Sequence, residues 1–213
     1  MATKKDKYPA TFDIDYPKKL DRLSTFFRIV WSIPAIIIIS MLTASGSERL
    51  MNEAGQEVST GGGGIAAGLF CATALMILFR QRYPRWWFDF ALELNRYSSR
   101  VGAYILLLTD RYPSTVEKQS VQLDIEYPNV ERDLNRWLPL VKWLLAIPHY
   151  FVLFILVIAA SVATVIGWFS ILFTGQYPRS LFNFVVGVGR WGVRVTAYAF
   201  LLTTDEYPPF RLR

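Results

Sequence analysis

The chain has one cysteine, one histidine and, along its longest apolar run, no charge. A lone Cys71 excludes an intrachain disulfide framework and a multi-cysteine zinc centre. There is no Ser-His-Asp grouping, no GxSxG, no zinc motif and no dinucleotide fingerprint. The glycine run Gly61–Gly64 lacks the GK[ST] ending of a phosphate-binding loop and reads as a flexible turn. The first residues, MATKKDKYPATFDIDYPKKLDR, contain no apolar core with a cleavage site, so no cleaved signal peptide is expected. Neither a metal nor a cofactor is expected, and the chain reads as a non-enzyme.

What is present is hydrocarbon. From Trp143 to Pro178 there is no Asp, Glu, Lys or Arg, and His149 is the one side chain there that titrates near neutral pH. Such a run folds in water only against a large partner surface, so it reads as a membrane segment. As one helix it would be about 54 Å long against a hydrocarbon core of roughly 30 Å. It must therefore turn back as a tight or re-entrant hairpin, or begin as an interfacial helix and cross once after Pro148. The net charge of +6 suits anionic lipid better than nucleic acid beside apolar runs this long.

The chain also repeats itself. DIDYP at Asp13–Pro17 returns as DIEYP at Asp124–Pro128, and Ile33-Pro34 returns as Ile147-Pro148. Arg82–Asp110 aligns without a gap on Gln176–Thr204. An internal duplication follows, with repeats at 1–113 and 114–213. The first copy carries a polar, Gly-rich insertion at Ser45–Gly64 that divides its apolar run into Phe26–Ala44 and Ile65–Phe79. Glu48, Glu53 and Glu57 make that loop acidic, whereas both flanks are basic, as expected of a hairpin with cytoplasmic ends. Seven Tyr-Pro pairs punctuate the apolar blocks, where tyrosine favours the membrane boundary and proline bends the chain. Thr11–Ile14 and Val121–Ile125 alternate like short strands that pair with the ends of the repeats.

The expected fold is thus mainly α and integral to the membrane. Two tandem repeats each hold a helical hairpin and an amphipathic interfacial segment, with short cytoplasmic β-strands. That makes four membrane-embedded helices and two cytoplasmic termini. Asp89, Glu93, Arg96 and Arg100 share a helical face in the first interfacial segment. In the second, Gly187, Gly189 and Gly192 weaken the helix and RVTAYAFLLT reads as a strand. Arg28, Lys142, Arg85, Arg179, Arg96, Arg190, Arg100 and Arg194 form a duplicated basic set. They would bind lipid phosphate, or serve as positive-inside anchors and ion-pair with Asp89 and Glu93. Asp13, Asp15, Asp124 and Glu126 pair with Lys18, Lys19 or Arg132. His149 is a satisfied histidine at a helix bend, or a proton relay.

The motif chain DI[DE]YP, Ile-Pro, LFTGQYPRSLFNFVVGVGRWGVRVTAYAFLLT and DEYPPF resembles a family of small bacterial membrane proteins, common in actinobacteria and known only as a domain of unknown function. The resemblance covers most of the chain in tandem and is most distinctive from Leu172 to Phe210. It implies a bacterial plasma membrane and carries over no active site. The leading expectation is an accessory or scaffolding protein that contacts lipid headgroups and other membrane proteins or itself. A small transporter or channel built from duplicated hairpins is the alternative.

Overall fold

The computed structural model describes residues 8–43, 47–51, 57–61, 64–115, 117 and 119–213. Glu53 and Gly62–Gly63 of the expected acidic, Gly-rich loop lie outside the described residues, as do the side chains of Glu48, Arg49 and Glu57. Among the described residues the fold is mainly helical. The order is β1 (Ala10–Ile14), α1 (Arg22–Phe26), α2 (Arg28–Thr43), β2 (Ser47–Met51), β3 (Glu57–Gly61), α3 (Ile65–Arg80), α4 (Arg85–Ile105), β4 (Val121–Ile125), α5 (Val130–Asp133), α6 (Pro139–Leu145), α7 (Ile147–Thr174) and α8 (Arg179–Ala199).

The two alternating segments are strands, and they pair with each other. β1 and β4 run antiparallel with Phe12 opposite Leu123 at the centre, not against the repeat ends as expected. Each strand then packs on the helix of the other half: β1 lies on α8 and β4 on α4. The short helices cross over too, α1 against α7 and α6 against α3. The halves are therefore interlocked through their leading segments.

The second apolar run does not turn back. α7 is one helix of 28 residues, about 42 Å at 1.5 Å per residue. It starts just after α6, where the chain bends at Ala146. The expected second hairpin is thus replaced by a short helix and a single rod. The physical reason is the absence of a turn signal: between Pro148 and Gly175 the one glycine is Gly167, and a Cβ there would stand 2.6 Å from the Tyr177 ring. That glycine admits a neighbouring ring; it does not turn the chain.

The first apolar run is not an antiparallel hairpin either. Ala35 of α2 packs on Tyr97 and Val101, and Ile38 and Leu42 lie beside Phe90 and Leu94. Ala66 and Phe70 of α3 then lie beside Leu94 and Asn95, and Ile77 shares a core with Phe88 and Ala91. Both helices run antiparallel to α4 and so head the same way, as two lengths of one split rod. Aligning Pro34 on Pro148 and Tyr83 on Tyr177 sets residues 44–64 where α7 has Ile158 alone.

α8 is helical through Ala199 despite its glycines, correcting the extended strand expected for its end. The glycines let other chain segments close upon it. A Cβ at Gly189 would meet the Phe12 ring at 2.8 Å, and one at Gly187 would meet Leu212 at 3.0 Å. The molecule is therefore layered: the rods α2/α3 and α7, then α4 and α8, then the β1–β4 sheet. Among the described residues α7 alone is long and apolar enough to cross a membrane; α2 and α3, with 16 residues each, are shorter. The expected four embedded helices reduce to that one candidate.

Candidate functional site: paired basic contacts and an exposed apolar face

The eight basic residues are spread through the fold as four matched pairs. Arg28 sits at the start of α2 and is 3% exposed. Its guanidinium donates to the Thr109 carbonyl at 3.0 Å, ion-pairs with Asp110 and lies 4.2 Å over the Tyr104 ring. Lys142 of α6 is fully buried and repeats the arrangement. It donates to the Thr204 carbonyl at 2.8 Å, meets Asp205 at 2.6 Å and lies 5.4 Å over the Tyr198 ring. Burial holds the Lys142 ammonium below the usual lysine range, and Asp205 opposes that shift. Sequence reasoning missed both carboxylates. A one-residue offset separates TDRYP at Thr109–Pro113 from TDEYP at Thr204–Pro208, just where the gapless alignment ends.

The second and third pairs tie the exchanged strands down. Arg96 donates through Nε to the Leu123 carbonyl at 2.9 Å and reaches Asp124 at 3.1 Å. Arg190 donates to the Phe12 carbonyl at 2.9 Å and reaches Asp13 at 2.6 Å. These guanidinium forks read one strand carbonyl and one strand carboxylate each. Asp13 and Asp124 thus pair with helix arginines, not with the expected Lys18, Lys19 or Arg132. Arg96 also meets Glu93 at 2.6 Å, as the shared face predicts. Arg85 lies 4.6 Å over the Tyr127 ring and meets Asp89 at 3.3 Å, while Arg179 lies 5.3 Å over Tyr16. Those tyrosines donate across to the Tyr83 and Tyr177 carbonyls. Arg100 and Arg194 close the fourth pair by donating to the carbonyls of Ser114 and Arg211. Burial lowers the Arg194 pKa.

His149 lies in the first turn of α7 and is fully enclosed. The Trp191 indole donates to its Nδ1 at 3.0 Å, which leaves the proton on Nε2. Phe210 stacks on the imidazole at 4.0 Å between centroids, and Tyr207 flanks it at 4.7 Å. Aromatic rings surround this imidazole, and among the described residues Nε2 has no hydrogen-bond partner.

The largest feature is apolar and faces outward. Phe151, Phe154, Ile158, Val162, Phe169 and Phe173 run down one side of α7, each at least half exposed. The stripe continues at one end through Phe26, Ile29 and Val30, and at the other through Trp143 and Leu144, all exposed. The opposite face of the molecule carries the sheet and its ion pairs.

Residues 137–211, from the turn before α6 to the tail after α8, match a family described as Domain of unknown function (DUF4389). No curated protein and no solved structure matches the chain.

Proposed function

We propose that this is a non-catalytic membrane protein that lies in one leaflet and holds its sheet face in water as a platform for other proteins or for further copies of itself. The exposed stripe along α7 carries the reading, since soluble monomers rarely expose apolar patches beyond a few hundred Å². Two further arguments set the rods in the plane of the interface instead of across it. α8 packs along the whole of α7 and carries Arg190 and Arg194 midway. Were α7 to cross, those charges would enter the hydrocarbon at about 2.5–3.5 kcal/mol each on insertion scales. The β1–β4 sheet would enter as well, and its open edges have no partners in lipid. Lying flat, the apolar side chains meet acyl chains and the ion pairs stay wet.

The matched contacts of the two halves support descent from a duplicated unit, written so that both copies present the same face to the same leaflet. A bacterial plasma membrane, with both termini on the cytoplasmic side, is the proposed setting. The channel reading finds no support in its prolines. Pro34 lies inside an unbroken α2 and Pro148 in the first turn of α7.

The test is flotation of purified protein with liposomes, followed by native electrophoresis of protein extracted from membranes in mild detergent. Flotation that persists in high salt, with migration in a complex larger than a monomer, is expected. Protein that stays at the bottom of the gradient removes the membrane reading; a lipid-bound monomer alone removes the platform.

A further inference from the structure

The two central helices, α4 and α8, lie side by side but make at most marginal contact. An open cleft of about 310 Å³ separates them. Gly102 of α4 and Leu106 just after it form one wall, Val188 and Gly192 of α8 the other, and Leu153 and Val157 of α7 the mouth. Phe12 of β1 closes the end nearest the sheet. A Cβ added at Gly102 or at Gly192 would meet nothing within 4 Å, so the walls stand back from each other where the chain has its smallest side chains. Protein interiors pack to crystal density, and an apolar gap of this size is what they otherwise close. Ligand sites, by contrast, begin at about 300 Å³.

The mouth says where an occupant comes from. Val157 is 53% exposed and stands beside Ile158 and Phe154 on the outer stripe of α7. The cleft therefore opens onto the apolar face and not onto the sheet. A second cleft of about 390 Å³ occupies the matching place in the other half. Ala66 and Phe70 of α3 line it in place of α7, with Leu94 of α4 and Phe200 after α8. Two hollows in equivalent places argue against a local packing fault.

We infer that the cleft between α4 and α8 seats one long alkyl chain, drawn in past Val157 from the apolar phase that covers α7. This rests on the proposed membrane face. The chemistry requires only the chain, which a phospholipid or a free fatty acid can supply.

The experiment reconstitutes the full chain in liposomes that contain either a phospholipid or a free fatty acid with a diazirine on its alkyl chain, and maps crosslinks by peptide mass spectrometry. Crosslinks at Leu106 or Val188 are expected, together with crosslinks on the outer stripe at Phe154 and Ile158. Labelling by the phospholipid probe assigns the chain to a membrane lipid; labelling by the fatty-acid probe alone assigns it to a free acid. Gly192→Leu fills the cleft and should cut the inner crosslinks at least tenfold while the outer ones persist. Gly102→Leu fills it from the opposite wall and gives the same readout should the first variant not fold. Outer crosslinks without inner ones, or inner crosslinks unchanged in a folded filled variant, overturn the inference. Loss of both sets in the unaltered protein overturns the inference and the membrane reading together.

Discussion

The two rods of this molecule do the same work with different stretches of the chain. α7 is continuous for 28 residues, whereas its counterpart is α2 and α3, separated by residues 44–64. Yet each rod runs antiparallel to its own central helix and is fixed at its head by a buried cation on an aspartate. Each ends in the left-handed region, at Gln81 in one half and Gly175 in the other. After each central helix a leucine also takes positive φ, Leu107 and Leu202. What both halves keep is the set of joints between layers. What they let vary is the continuity of the outermost rod, which touches the rest along one side only.

The largest effect should come from breaking those joints. Arg28→Met and Lys142→Met each strip a buried cation from an aspartate that is itself 30% or 23% exposed, and losing the charge-assisted hydrogen bonds that cation makes costs up to about 3 kcal/mol. Denaturation in mild detergent should show both variants destabilised to a similar degree. If one half tolerates the change, the joints are not equivalent.

A second comparison uses a place where the halves differ beneath the sheet. Gly189 lies against the Phe12 ring, while Asn95 stands at the matching position on α4. Gly189→Leu should cost about 2 kcal/mol by forcing β1 off α8. Asn95→Leu, beside the wider cleft, should stay within about 0.5 kcal/mol. The same denaturation curves read both.

A pH effect acts at the tyrosine before each central helix, since burial raises both Tyr83 and its counterpart Tyr177. Burial pushes the Tyr83 hydroxyl from 10.0 up to about 12. Its folded pKa exceeds its unfolded one, so its contribution is whole below pH 10 and is lost as the pH rises toward 12. The unfolding midpoint should fall across that window by an amount worth at most about 2 kcal/mol. Tyr83→Phe should flatten the slope.

The smallest effect should come from the largest deletion. Replacing residues 44–64 by a single isoleucine, as at Ile158, should fuse α2 and α3 into a second α7. Stability should then stay within about 1 kcal/mol, because loop length costs little. A fused variant that no longer floats with liposomes would show that the insertion, and not the rod, holds the first half to the membrane.

Local features were legible in the sequence and tertiary ones were not. Val121–Ile125 alternates and is a strand over those residues, and Asp89, Glu93, Arg96 and Arg100 share a face of α4 because helical periodicity is set by the backbone. That β1 would lie on the helix of the other half depends on contacts more than 170 residues apart, such as Arg190 with Phe12. No local pattern encodes that. The unbroken α7 was legible in principle, since its run lacks turn residues and a short helix before Pro148 followed by one rod is the alternative its length allows. The expected hairpin rested on that length against the bilayer thickness. The basic residues were found by their recurrence, and the aspartate partners of Arg28 and Lys142 were missed because one residue shifts Asp205 relative to Asp110. The cleft left no sequence signal beyond Gly102 and Gly192, which read equally well as weak helix positions.

The central claim is that the rods lie flat in one leaflet with the sheet above them. Spin labels placed singly at Phe151, Ile158 and Phe169, in a Cys71→Ser background, report the depth of the outer stripe of α7 through their accessibility to oxygen and to a water-soluble relaxation agent in liposomes. The three sites should sit at equal depth, below the headgroups of a single leaflet. A profile deepest at Ile158 and shallow at Phe151 and Phe169 would mean that α7 crosses the bilayer, and the flat arrangement would be wrong.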